Sequence, residues 1–278
     1  MLFLILAVLS SSMVSIVMRV STNRVSANLS MLAVNYLVCA FLGAAYAGFD
    51  LLPVAAEGFS MAVALGALAG VLYLAGFVLL QRNVRKNGIV LSSVFMKLGL
   101  LVPIVLSLVL FGEVPTAAQI AGFVIALCAI VLINLKKEPG ARGFGLGLII
   151  LLLTGGSCDA MSKVYEVFGA AALSEQFLFY TFFAALLLCA ALVVRNRERF
   201  GLRELVFGTL IGIPNFFSAK FLLLALTRLP AVVVYPSFSV ATMLVVTVTG
   251  VAVFKERLNK LQWVALAAIV AALVLLNI

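Results

Sequence analysis

The chain alternates long apolar stretches with short polar connections, and the stretches recur at a nearly constant length. Ten can be marked: 1–18, 29–48, 60–81, 88–111, 116–135, 143–163, 174–194, 204–227, 231–254 and 260–277. Crossing hydrocarbon as an α-helix takes about 20 mostly apolar residues, so each stretch predicts one transmembrane helix. A helix is suited to that setting because it satisfies its own backbone hydrogen bonds, which lipid cannot do. The connections leave almost nothing over for a soluble domain. The expectation is an all-α integral membrane protein of ten transmembrane helices.

Composition agrees with the pattern: 65% of the 278 residues are hydrophobic and 10% are charged, against roughly 45–50% apolar residues in a soluble domain. The first stretch has no positive leading segment and no small-residue cleavage site before Arg19, so it is expected to be a helix of the mature protein and not a signal peptide. Cys39, Cys128, Cys158 and Cys189 all fall in apolar stretches without metal-ligand spacing, so neither disulfides nor a metal is expected. There is no histidine, no Gly-x-x-x-x-Gly-Lys-Ser/Thr, no His-Glu-x-x-His and no Gly-x-Ser-x-Gly. That argues against an ATP-driven pump or a membrane hydrolase, and no cofactor is expected.

Charge changes the picture by giving the chain a direction. The formal charge of +9 would suggest nucleic acid in a soluble protein, but here the positive residues sit beside the ends of the apolar stretches. Let side A be the side carrying the odd-numbered connections (1-2, 3-4, 5-6, 7-8 and 9-10). It holds 15 of the 19 basic residues, from Arg19 and Arg24 through the Arg195–Arg203 group to Lys255, Arg257 and Lys260. Side B holds Lys163 and Arg228, while Lys97 and Lys220 lie inside stretches. Short basic loops stay in the cytoplasm. The expectation is a multi-pass plasma-membrane protein with those five loops cytoplasmic and both termini outside.

The chain also repeats itself. A shift of 143 residues lays 88–135 onto 231–278 without a gap, with 12 identities in 48 positions. The polar matches carry the most information: Glu113 with Glu256, Gln119 with Gln262 and Asn134 with Asn277. Gly66-x-x-x-Gly70 in the third stretch and Gly208-x-x-x-Gly212 in the eighth correspond at a shift of 142. Two domains follow, a first five-helix repeat over 1–138 and a second over 143–278. Five is odd, so the second repeat enters the membrane from the opposite side, which makes the repeats inverted. Inverted repeats underlie many secondary transporters, where one part rocks against the other around a midplane site.

The segment FGEVPTAAQIAGFVIALCAIVLINL and its echo from Tyr235 to Ile278, with the duplicated turns Gly112-Glu113 and Lys255-Glu256, resemble the drug/metabolite transporter superfamily in its EamA-like branch. The resemblance covers essentially the whole chain. It implies a ten-helix metabolite transporter with a central cavity between its halves.

Ionisable groups inside a bilayer cost at least about 2.5–3.5 kcal/mol each on insertion scales, so they mark function or paired structure. Lys97, Asp159 and Lys220 qualify. Lys97 is nine residues into the fourth stretch, about 14 Å from side A at about 1.5 Å per residue. It is expected to bind an anionic substrate group as a compact point charge. Asp159 and Lys220 lie at similar depth near side B and are expected to pair, as a gate or as a static lock; Asp159 is also a candidate for taking up a coupling proton. Helix breakers cluster nearby at Gly155-Gly156, Pro103, Pro214-Asn215 and Tyr235-Pro236.

Tyr73, Ser93, Asn215 and Tyr235 complete the expected substrate-binding set with Lys97 and Lys220. Asn35, Gln81, Ser92, Ser218 and Ser239 are further polar candidates for a cavity lining. Glu113 and Glu256 are expected to cap the short connections. The expected function is secondary active transport of a small polar solute, an amino acid or another anionic or zwitterionic metabolite. A lipid flippase or multidrug exporter on the same scaffold is the alternative. The expected partners are that solute, the bilayer and coupled protons, without nucleic acid, in a monomer or homodimer.

Overall fold

The computed structural model describes the chain except for residues 22–23, 88, 111, 135–145 and 256–259, and except for the side chains at 81, 84, 85, 87, 89–91, 93, 94, 133, 134 and 262. Among the described residues there are helices and no strands. In chain order they are α1 (Leu2–Ser21), α2 (Asn28–Tyr46), α3 (Phe59–Asn87), α4 (Ile89–Leu98), α5 (Leu101–Leu110), α6 (Ala117–Asn134), α7 (Leu146–Phe168), α8 (Ser174–Asn196), α9 (Leu202–Leu226), α10 (Ala231–Ala252) and α11 (Lys260–Leu276). Each falls on one of the apolar stretches. The fourth stretch alone is divided, into α4 and α5. Among the described residues, seven helices are long and apolar enough to cross a membrane: α1, α2, α3, α7, α8, α9 and α10.

The apolar surface is distributed as lipid requires. On α1 the side chains of Leu4, Ala7 and Val8 are buried, while Leu2, Ile5, Leu9 and Met13 are all more than half exposed at helical spacing. A contiguous exposed stripe of that kind is a liability in water. In hydrocarbon it costs nothing.

Two compact units make up the chain. One contains residues 75–160 and 228–278 with Met1, and the other contains 2–74 and 161–227. Each unit therefore draws helices from both sequence halves. In the first, α6 and α11 pack together through Ala126, Ala129, Ile269 and Ala272. An added Cβ at Gly122 would lie 2.9 Å from Leu275 and 3.1 Å from the Ala272 carbonyl, so the glycine sets the spacing. Small residues in that position let helix backbones approach closely where no hydrophobic effect drives them together.

In the second unit the two Gly-x-x-x-Gly motifs act reciprocally. Gly66 and Gly70 on α3 abut α8 at Phe177, Tyr180, Thr181 and Ala184. Gly208 and Gly212 on α9 abut α2 at Met31, Val34, Asn35 and Val38. The motif of each sequence half is thus seated on a helix of the other half.

Helix ends are closed by side chains the repeat pointed to. Thr116 and Gln119 form a reciprocal capping box at the start of α6, with backbone-to-side-chain distances of 3.0 and 3.2 Å. Glu113 accepts a hydrogen bond from the Val232 N–H at 3.3 Å, at the start of α10. Glu256 lies outside the described residues.

Candidate functional site

The division of the fourth stretch has a local cause. Pro103 carries no N–H, and its ring would collide with the carbonyl of residue 99, four positions back. The helix accordingly stops at Leu98 and restarts at Leu101. The Gly99 carbonyl is taken by Val102 N–H instead, at 2.9 Å. Lys97 lies in the last turn of α4, where a cation complements the negative end of the helix dipole. The corresponding stretch in the second repeat has Val246 in place of Pro103, and α10 runs unbroken from Ala231 to Ala252.

A second glycine brings a partner to this break. An added Cβ at Gly99 would fall 2.9 Å from Gly156 N and 3.0 Å from the Leu152 carbonyl, so α7 crosses the α4–α5 junction in backbone contact. Gly155-Gly156 is not a break, since α7 is continuous through it. It is the flat place on which the junction rests. Asp159 lies three residues beyond Gly156, and Lys97 two before Gly99, so the crossing carries both charges to one place. They interact electrostatically there. Both are exposed. Charged side chains within apolar stretches face water-filled space or partners and not lipid tails.

Tyr235 is 2% exposed, and its hydroxyl donates to the Asp159 carbonyl at 2.8 Å. It ties α10 to the turn that bears Asp159 and has little surface left for a ligand. Val240, the repeat mate of Lys97, is fully buried among Ala126, Ala129, Ile269 and Ala272. The two aligned segments therefore differ in side-chain chemistry at this position.

The second unit holds Asn35, Tyr73, Asn215, Ser218 and Lys220. Lys220 on α9 makes an ion pair with Glu175 on α8 at 2.6 Å, and its ammonium sits 3.5 Å from the centre of the Tyr46 ring. Depth alone suggested that Lys220 could pair with Asp159; the ion pair Lys220 makes within its unit is with Glu175. Sequence reasoning missed Glu175 because it sits at the edge of its stretch. Its signal was a lone acid in the first turn of a helix, where the dipole favours it.

Asn215 donates to Asn35 at 3.1 Å, and Cys39 donates to the Gly212 carbonyl at 3.2 Å, so these side chains clasp α9 to α2. Pro214 is accommodated within a continuous α9. The Tyr73 ring packs 5.9 Å from that of Phe182. Ser218 is buried and reaches the Ala7 carbonyl at 3.5 Å. Ser92 is fully buried, and Ser239 is partly buried. The side chains of Ser93 and Gln81 lie outside the described residues. Of the expected set, the structure gathers Lys97, Asp159 and Tyr235 in one unit and Tyr73, Asn215 and Lys220 in the other.

Long apolar helices with lipid-type exposure mark a multi-pass membrane protein. Residues 143–278 match the model of the EamA-like transporter family, part of the drug/metabolite transporter superfamily. An uncharacterised protein of Haemophilus influenzae is 24% identical over 274 residues, covering 95% of this chain and 93% of that one. A solved crystal structure of a protein superposes with a TM-score of 0.75 at 16% identity, over 99% of this chain and 94% of its own. The likeness to that structure shows a shared fold.

Proposed function

We propose that the protein is a secondary transporter that carries a small anionic or zwitterionic metabolite by alternating access, with Lys97 holding the solute's carboxylate and Asp159 taking up a coupling proton. The observation that carries this reading is the exposed Lys97–Asp159 pair at the α4–α5 break. Two opposite charges kept within apolar stretches, beside a helix end, form the kind of polar centre that discontinuous helices supply in transporters. A dianion is disfavoured because Val240 gives no second lysine by repeat.

The two repeats, 1–138 and 143–278, are inverted in this reading, and the reciprocal seating of Gly66/Gly70 on α8 and Gly208/Gly212 on α2 supports that relation. The basic connections face the cytoplasm and both termini face outward. Lys220 with Glu175 serves as a gate or lock, and Tyr235 positions Asp159. Counterflow in proteoliposomes tests the class: unlabelled solute inside accelerates entry of labelled solute for a carrier. Transfer of labelled phospholipid between leaflets without any solute exchange would instead favour a flippase.

A further inference from the structure

At one end of the second unit, the end of α1, the start of α2, the end of α8 and the start of α9 come together. A cavity of about 610 Å³ opens there, lined by Arg24, Val25, Ser26, Gly201, Leu202, Arg203 and Glu204. The Arg203 guanidinium donates to the Arg24 carbonyl at 3.3 Å, which holds the two arginines side by side. Both are exposed, as are Arg195, Arg197 and Arg199.

Of the nearby carboxylates, one is engaged at α2 and one lines the cavity. Glu198 accepts from the Ser30 N–H at 3.0 Å at the start of α2. Glu204 is buried and folds back over Gly201, where an added Cβ would stand 2.6 Å from its Oε2. Two arginines against one carboxylate leave the cavity lining with a positive balance, and the amides opening α9 add to it; both favour anions.

The surroundings say where the anion comes from. Phe200 is 62% exposed and Leu202 76% exposed beside the arginines. Large apolar side chains at a helix end, next to cations, suit the boundary between acyl chains and headgroups.

We propose that this cavity binds the phosphate of an anionic phospholipid headgroup, with Arg24 and Arg203 on the phosphate and with Phe200 and Leu202 in the adjoining acyl layer. It is distinct from the Lys97–Asp159 centre and does not depend on what the protein carries. Glu204 is the carboxylate in the cavity lining, so Glu204→Gln should tighten binding.

The test is native mass spectrometry of purified protein exchanged into mixed phosphatidylglycerol and phosphatidylcholine micelles. The wild type should retain phosphatidylglycerol preferentially. Arg24→Gln, which leaves the backbone carbonyl used by Arg203 in place, should lower that preference roughly fivefold, and adding Arg203→Gln should lower it by a similar factor again. Lys86→Gln, removing an exposed cation in the other unit, should leave it unchanged. Equal loss with Lys86→Gln would reduce the effect to general surface charge, and full retention by the double variant would overturn the site. Displacement of the lipid by millimolar inorganic phosphate would make it a site for a soluble anion and equally refute the lipid assignment. If the double variant does not fold, Arg24→Gln against Lys86→Gln decides alone.

Discussion

Gly99 and Gly156 touch backbone to backbone: a Cβ built on Gly156 would overlap the Gly99 carbonyl and approach Val102 to 2.6 Å. This contact fixes how α7 crosses the α4–α5 junction, and hence where Asp159 stands relative to Lys97. Gly156→Ala should therefore cost about 1–3 kcal/mol as overpacking and reduce transport by more than the lost stability explains. Thermal unfolding in detergent, set beside uptake per folded molecule, separates the two effects. Unchanged uptake in a destabilised variant would leave Gly156 a packing residue only.

The reciprocal motifs make a sharper packing prediction. Gly70→Leu and Gly212→Leu should each destabilise the second unit severely, because the added atoms meet Thr181 and Ala184 in one case and Asn35 and Val38 in the other. Gly76 is the contrast. A Cβ there meets nothing within 4 Å, so Gly76→Ala should be neutral or stabilise by about 0.5–1 kcal/mol through a less flexible unfolded chain. Melting temperatures in one detergent check all three.

Much of this was legible in the sequence, and the misses have physical reasons. The apolar stretches, on which the described helices fall, follow from counting residues against helix rise, which depends on neither packing nor partners. The charge pairing does not follow from depth. Asp159 and Lys220 look equivalent to Asp159 and Lys97 in one dimension, and only the Gly99–Gly156 crossing chooses between them. Glu175 escaped because a charge at a helix start reads as interfacial until the partner that reaches it is known. Pro103 was noticed as a breaker, but its effect falls four residues earlier, at Gly99.

The Lys220–Glu175 pair is accessible enough that its worth lies between surface and buried limits, about 1–2 kcal/mol. Lys220→Met and Glu175→Gln should each destabilise by that order. The Lys220→Glu, Glu175→Lys exchange should recover part of it, although the ring of Tyr46 would then face a carboxylate. A double-mutant cycle on unfolding free energy gives the coupling directly. A cycle that sums to zero would show that the contact does not stabilise the fold.

Sidedness is open to a direct check. A phosphatase fused after Ile278 should be active, and a green fluorescent protein at the same place should be dark. The opposite pair of results would put the 15 basic side A residues outside the cell.

The central claim is that the Lys97 ammonium holds the solute while Asp159 handles the proton. Counterflow in proteoliposomes, with equal solute on both sides and label outside, needs binding and exchange but no net proton movement. Once a transported solute is in hand, Lys97→Met should abolish counterflow, while Asp159→Asn should retain it and lose uptake driven by a pH gradient. Normal counterflow by well-folded Lys97→Met would contradict the account.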